Sequence, residues 1–166
     1  MSHEAKPTTK NSALFYQSEL RRPLFSHSEG IYLWDINGKC YIDGSSGAMV
    51  SNIGHSNPSV LAAMAAQMNK GTFAYRLHFE NEPAEKLADE LVARSPAGLD
   101  KVFFVSGGSE AVESCLKLGR QWALATGQSS RHKVISCFPS YHGCTFGALS
   151  VTGYTPLSEP FDAMMQ

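Results

Sequence analysis

Residues 102–111, Val-Phe-Phe-Val-Ser-Gly-Gly-Ser-Glu-Ala, set an apolar β run, a tight glycine turn and the start of an amphipathic helix in direct succession. That order suits an anion. The first amides of a helix lack intrahelical acceptors, and the macrodipole adds partial positive charge at the same end. Gly107 and Gly108 remove the Cβ atoms that would hold a ligand away from the backbone, and Ser109 can serve as N-cap or offer its hydroxyl to a phosphate oxygen. An isolated Gly-Gly-Ser would be no more than a sharp turn; the strand before it and the helix after it shift the reading to anion binding. Neither the Lys-Ser/Thr of a P-loop nor a G-x-G-x-x-G fingerprint is present, which disfavours nucleoside triphosphates and dinucleotides. Glu110 suits the dipole but repels a phosphate unless its carboxylate points away or is hydrogen-bonded elsewhere.

The second constellation is Pro139-Ser140-Tyr141-His142-Gly143, just past the apolar run 133–138. In open α/β sheets ligands collect at the carboxyl ends of strands, so this loop and the glycine turn are expected to face one crevice, where Tyr141 can stack on a planar ligand. Read alone, Tyr-His-Gly is an ordinary loop with an aromatic plug. A Cys144/His142 nucleophile pair is disfavoured, because such close neighbours rarely aim at one atom and no third group orients them. The six histidines form no HExxH and no zinc-spaced set with cysteine, so no metal site is expected. His55, in Gly-His-Ser-Asn-Pro, reads as a loop-packing or capping residue.

The elements that must position these residues are legible as patterns. Residues 31–43 form two short β runs around Asn37-Gly38, the preferred pair for a type I′ hairpin turn. The Gly-, Ser- and Asn-rich stretch 44–54 is a loop, after which Asn57-Pro58 opens a helix to about Asn69, stopped by Gly71, with Val60, Leu61, Met64 and Met68 on one face. A second helix starts near Pro83, turns Ala84, Leu87, Ala88, Leu91 and Val92 inward, and ends around Ser95-Pro96. In the helix after the glycine turn, Ala111, Cys115, Leu118, Trp122 and Ala125 share the inward face, Glu113 and Lys117 form an exposed i,i+4 pair, and Gly127 closes it. Residues 133–138 form a further strand. Strand, helix and strand in this order predict a βαβ unit with parallel neighbours. Two such strands are few for a sheet buried on both faces, so the sheet is expected to be incomplete.

Composition limits the partners. With 166 residues, 14 Lys+Arg and a net charge of −1, the chain has no basic field for nucleic acid. Four cysteines are too sparse for a disulfide scaffold and read as reduced core or near-site thiols. The first residues carry no apolar signal core, and no stretch approaches the length of a membrane span, so neither a membrane nor a secreted setting is expected and the cytoplasm is the default.

Taken together, Gly30-Ile31-Tyr32-Leu33-Trp34-Asp35, Asn37-Gly38, Tyr41-Ile42-Asp43-Gly44, Ser46-Gly47, Gly54-His55 and Asn57-Pro58 are followed by Val102-Phe103-Phe104, Ser106 through Glu113, Lys117-Leu118, Ser140-Tyr141-His142-Gly143 and Gly147-Ala148-Leu149. This series resembles the class III (ω-type) aminotransferases, pyridoxal-phosphate-dependent transferases of fold type I. The resemblance implies an α/β fold in which residues 1–70 (arm, hairpin, loop and helix) belong to a small domain and residues 71–166 begin the large cofactor-binding domain. It implies that Gly107, Gly108 and Ser109 hold the phosphate of pyridoxal 5′-phosphate, that Tyr141 stacks on its pyridine ring, and that Met49, in Ala48-Met49-Val50-Ser51-Asn52, faces substrate. The implied substrates are an amine or amino acid donor and a keto acid or aldehyde acceptor; the implied assembly is a homodimer, with Phe73-Ala74-Tyr75-Arg76 reaching a partner's pocket. The family's Schiff-base lysine and pyridinium-pairing aspartate have no matching positions among residues 1–166, so the chain is expected to carry no catalytic residue and to be inactive by itself. A non-catalytic cofactor-binding or subunit-pairing fragment is the alternative.

Overall fold

A computed structural model describes residues 13–15, 20 and 22–165. The described residues fall into two compact units, one ending at Glu80 and the other beginning at Asn81.

The first unit is built on a three-stranded antiparallel sheet, β1 (Phe25–Glu29), β2 (Tyr32–Asp35) and β3 (Cys40–Ile42), in the order β1-β2-β3. The expected hairpin is β2–β3, with Trp34 opposite Cys40. β1 is an additional strand that the sequence pattern did not reveal. Its Phe-Ser-His-Ser-Glu run lacks the β-branched alternation that marks a strand, and it is held by a tight link at Gly30-Ile31. The turn differs from the type I′ expectation. Gly38 is left-handed at φ +81° whereas Asn37 does not have a positive φ. The Gly38 N–H donates to the Asp35 carbonyl at 3.0 Å, giving a three-residue loop that ends on a left-handed glycine.

Asp35 explains that choice. Its carboxylate accepts the N–H groups of Asn37 at 2.9 Å and Lys39 at 3.0 Å, and the Tyr41 hydroxyl at 2.9 Å. Burial by itself raises the Asp35 pKa, but these hydrogen bonds outweigh it and hold the carboxyl below its ordinary value. The same burial, followed by the Asp35 contact, raises the Tyr41 phenol.

α1 (Ser46–Met49) is a short, kinked turn, and α2 (Pro58–Lys70) follows the expected bounds. The Asn57 side chain caps α2 by accepting from the amides of Ser59 and Val60. Its apolar face is present but uncovered within this unit: Val60, Leu61, Met64 and Met68 are all exposed.

The second unit holds α3 (Glu82–Arg94), capped by Asn81, and α4 (Gly108–Ala125), both close to expectation. It adds three short elements, α5 (Phe146–Ser150), α6 (Thr155–Ser158) and a 3-10 turn at Glu159–Met164. The parallel βαβ ladder is not realised. Residues 101–105 and 131–137 lie in no strand, and among the described residues the only sheet is the antiparallel one. A parallel strand exists only by pairing, and among the described residues neither run is part of a sheet; Ile135 is 98% exposed.

The core of this unit is small: Ala123 on α4, Ala148 and Leu149 on α5, and the polar Thr152 just after it. The face expected to point inward on α4 is therefore displaced. Cys115, Leu118, Trp122 and Ala125 are exposed, and the buried position is Ala123. The side of α4 that meets α5 carries Glu113; the apolar stripe reads as a core face but is uncovered within the unit. All four cysteines are free thiols, as expected, and none is a core residue; Cys144 is the near-site one, against Ser109.

Candidate functional site

The N-terminus of α4 is open, as an anion site requires. Gly107, not Ser109, is the N-cap, in extended backbone, and no side chain caps the helix. The first intrahelical bond runs from the Ala111 N–H to the Gly107 carbonyl at 3.0 Å. That pattern leaves the amides of Gly108, Ser109 and Glu110 as the orphan donors of the first turn. A Cβ built on Gly108 meets nothing within 4 Å, whereas one on Gly107 would stand 2.9 Å from Glu110 Oε2. The Glu110 carboxylate thus folds back on the Gly107 side of the turn and leaves the Gly108 side open.

Ser109 does something else than cap. Its Oγ accepts the Cys144 N–H at 3.0 Å and lies 3.6 Å from the Cys144 thiol. Because the backbone contact uses a lone pair, the hydroxyl proton is available to a phosphate oxygen. The same bond joins the glycine turn to the loop carrying Tyr141, three residues before Cys144. The fit is close: a Cβ on Gly143 would lie 2.5 Å from Ser109 Oγ, and Gly143 itself is at φ +140°. Gly143 is thus required by the backbone and by the space. The Cys144 thiol has the Ser109 hydroxyl as its neighbour, so the Cys144/His142 pair finds no geometric support.

Tyr141 is 66% exposed, and the residues on both sides of it are fastened. The Ser140 N–H donates to the Gly153 carbonyl at 3.1 Å, and the Gly153 N–H returns a bond to Ser140 Oγ at 3.0 Å. On the other side, the His142 N–H donates to the buried Thr152 hydroxyl at 3.0 Å, which itself donates to the Ala148 carbonyl at 2.9 Å. An exposed ring on so anchored a backbone is a preorganised stacking surface. Thr152 gave no signal in sequence, because its role depends on meeting a backbone amide ten residues away.

Glu113 departs from the exposed pair that its spacing to Lys117 predicts. It is half-buried, and its carboxylate accepts the Gly147 N–H at 2.9 Å at the start of α5 instead of forming an exposed pair with Lys117. The nearby buried Thr145 hydroxyl is the largest influence lowering the Glu113 pKa. Burial opposes it, and the amides of Gly147 and Ala148 and the charge of Lys117 add to it.

In the first unit, Met49 lies on the kinked turn at φ +62° and is 77% exposed. Ser46 is also left-handed, at φ +53°, a conformation that non-glycine residues hold only when the surroundings impose it. Asp43 imposes it here. Its carboxylate accepts the amides of Ser45 at 3.3 Å and Gly47 at 3.2 Å, and meets His55 Nε2 at 2.7 Å. His55 Nδ1 in turn lies 3.4 Å from Ser51 Oγ, and the His55 backbone forms a bridge with Gly30. His55 is therefore the loop fastener that the sequence suggested. The His55 hydrogen bond, then the Gly47 amide, lowers the Asp43 pKa against the effect of burial.

Known proteins resemble this chain in sequence and in fold. The family model for class III aminotransferases matches residues 16–166. An uncharacterized aminotransferase of Bacillus subtilis is 42% identical over 132 residues, covering 80% of this chain and 30% of its own length. The acetylornithine aminotransferase of Clostridium acetobutylicum is 39% identical over 141 residues, covering 85% and 36%. Among solved structures, the adenosylmethionine-8-amino-7-oxononanoate aminotransferase of Methanocaldococcus jannaschii superposes with a TM-score of 0.85 at 34% identity, over 89% of this chain and 34% of that one. The chain spans about a third of the length of these relatives. The fold is accordingly part of the fold type I architecture of pyridoxal-phosphate-dependent transferases, and the chain belongs to the class III aminotransferases.

Proposed function

We propose that this chain supplies the phosphate-holding turn and the ring platform of a pyridoxal-phosphate-dependent transaminase. The observation that carries the proposal is the Ser109–Cys144 hydrogen bond at 3.0 Å, which fixes the open end of α4 against the Tyr141 loop. The residues fit the cofactor: uncapped amides and a spare hydroxyl proton for the phosphate, open space over Gly108, and an exposed phenol on an anchored backbone. Gly107, Gly108 and Ser109 hold the phosphate, and Tyr141 stacks on the pyridine. Bound pyridoxal phosphate supplies an electron sink for removing the proton beside a substrate amino group. The chain's own residues bind and orient; the lysine and aspartate that complete the chemistry in the family have no counterpart at matching positions here, so turnover belongs to the whole enzyme.

The substrates on this reading are an amine or amino acid donor and a keto acid or aldehyde acceptor, with Met49 on the substrate side. The enzyme is a cytoplasmic homodimer that binds neither nucleic acid nor membrane; no helix among the described residues is long and apolar enough to cross a bilayer. A subunit-pairing role is favoured by one observation: Phe73, Leu77 and Phe79 are 82%, 71% and 67% exposed, too much apolar surface in one short segment to leave in water.

The test is titration of the full chain with pyridoxal 5′-phosphate and with pyridoxal, followed by quenching of intrinsic fluorescence. The phosphorylated ligand binds at least about tenfold more tightly, and Tyr141→Ala weakens it by about two- to tenfold, the equivalent of ~0.5–1.5 kcal/mol of ring contact. Equal affinity for the two ligands, or no effect of Tyr141→Ala, overturns the assignment.

A further inference from the structure

α4 grips the segment 143–148 at two points one helical turn apart. Ser109 holds the Cys144 amide at 3.0 Å and Glu113, at i+4 on the same face, holds the Gly147 amide at 2.9 Å. The gripped segment has matching spacing: Gly143 and Gly147 are also four apart, and each lacks room for a side chain. A Cβ on Gly147 would lie 2.5 Å and 2.6 Å from the two Glu113 carboxylate oxygens, as one on Gly143 would lie 2.5 Å from Ser109 Oγ.

Sequence spacing alone makes the Glu113–Gly147 contact look remote from the ring, since Gly147 lies six positions after Tyr141. The hydrogen bonds shorten that path. Gly147 lies in the first turn of α5, whose C-cap, Val151, immediately precedes Thr152. The Thr152 hydroxyl binds the Ala148 carbonyl on one side and the His142 amide on the other. His142 is the immediate neighbour of Tyr141. The N-cap of α5, Thr145, makes no side-chain capping bond, so the carboxylate from α4 takes that place. A negative group at that end is favoured by the helix polarity.

We propose that Glu113 is a positioning residue for the cofactor ring: by holding Gly147 at the start of α5 it fixes, through Thr152 and His142, the loop that presents Tyr141 to the end of α4. This rests on the cofactor reading given above. Ser109 touches the phosphate on that reading, whereas Glu113 touches no ligand and acts through α5.

The experiment compares the full chain with Glu113→Ala, Glu113→Gln and Gly147→Ala in two measurements. One is the affinity for pyridoxal 5′-phosphate; the other is amide hydrogen exchange across 140–153, without ligand, with α4 and the first unit as internal references. Glu113→Ala and Gly147→Ala each weaken binding by about tenfold and speed exchange across 140–153 while the reference segments keep their protection. Glu113→Gln retains an oxygen acceptor for the Gly147 amide and recovers a large part of both losses. Wild-type affinity in Glu113→Ala overturns the inference, even where exchange is faster, because the loop then does not position the ring. Loss of protection throughout the chain in all three variants also overturns it, since Glu113 is then merely structural. If the wild-type chain shows normal exchange but binds no pyridoxal phosphate, the cofactor reading itself fails and takes this inference with it.

Discussion

Thr152 and His142 are joined by a bond that an exposed loop seldom has: the His142 amide donates at 3.0 Å to a threonine hydroxyl that is only 7% exposed. The hydroxyl proton goes back along the chain to the Ala148 carbonyl, so one buried side chain ties the end of α5 to the residue after Tyr141. The exposed ring therefore stands on one of the best-buried polar contacts of its unit.

Thr152→Val tests that bond at nearly constant volume. It leaves the His142 amide without its acceptor, which costs about 1–3 kcal/mol where the group is shielded from water. Chemical denaturation read by circular dichroism gives a lower midpoint with an unchanged slope, and the affinity for pyridoxal phosphate falls with it. An unchanged midpoint shows that water replaces the hydroxyl without loss.

Gly108→Ala and Gly143→Ala separate ligand space from packing space. Nothing lies within 4 Å of a Cβ on Gly108, and a helical alanine is favoured over glycine by up to about 1 kcal/mol, so the fold is retained or slightly stabilised. Pyridoxal phosphate binding nonetheless falls by about tenfold or more, because the methyl occupies the phosphate's approach. Gly143→Ala forces φ +140° on an L side chain and drives the methyl into Ser109, so stability and binding drop together. Equal behaviour of the two variants in thermal melts and ligand titration contradicts this division.

The loop at 43–55 responds to acid. Asp43 has its pKa lowered in the folded chain, so its contribution to stability is present above the ordinary aspartate range and is lost as pH falls through the folded value. Acidification frees the amides of Ser45 and Gly47 and relaxes the left-handed residues Ser46 and Met49. Limited proteolysis between residues 46 and 52 speeds up as pH is lowered through that range, with an acid-active protease. In Asp43→Asn cleavage is fast throughout and no longer varies with pH in that window. A wild-type rate that does not change with acid assigns the hold on this loop to other contacts.

Much of the site's chemistry was legible in residue order. Gly107-Gly108-Ser109 ahead of an amphipathic helix is a local signal, since the orphan amides of a helix start depend only on where the helix begins. The β2–β3 hairpin, the Asn57 cap and the bounds of α2, α3 and α4 were readable for the same reason. What escaped was non-local. Ser109 looked like a cap or a phosphate ligand, yet its oxygen is engaged by an amide 35 residues on. Glu113 looked like half of a surface pair and turned out to hold α5. The strands at 102–105 and 133–138 were read from apolar composition, which reports a wish for burial but supplies no ladder partner.

The amino-acid order by itself therefore determined the places where helices begin and the glycine turn that leaves the first amides of α4 open, because each rests on contacts within a few residues. The tertiary structure alone decided that Ser109 and Glu113 clamp the tyrosine loop, that Thr152 underpins it, and that the stripe of α4 with Trp122 is uncovered while Ala123 is buried. Those outcomes depend on which distant backbone amide meets which acceptor. Periodicity along one segment carries no information about that meeting.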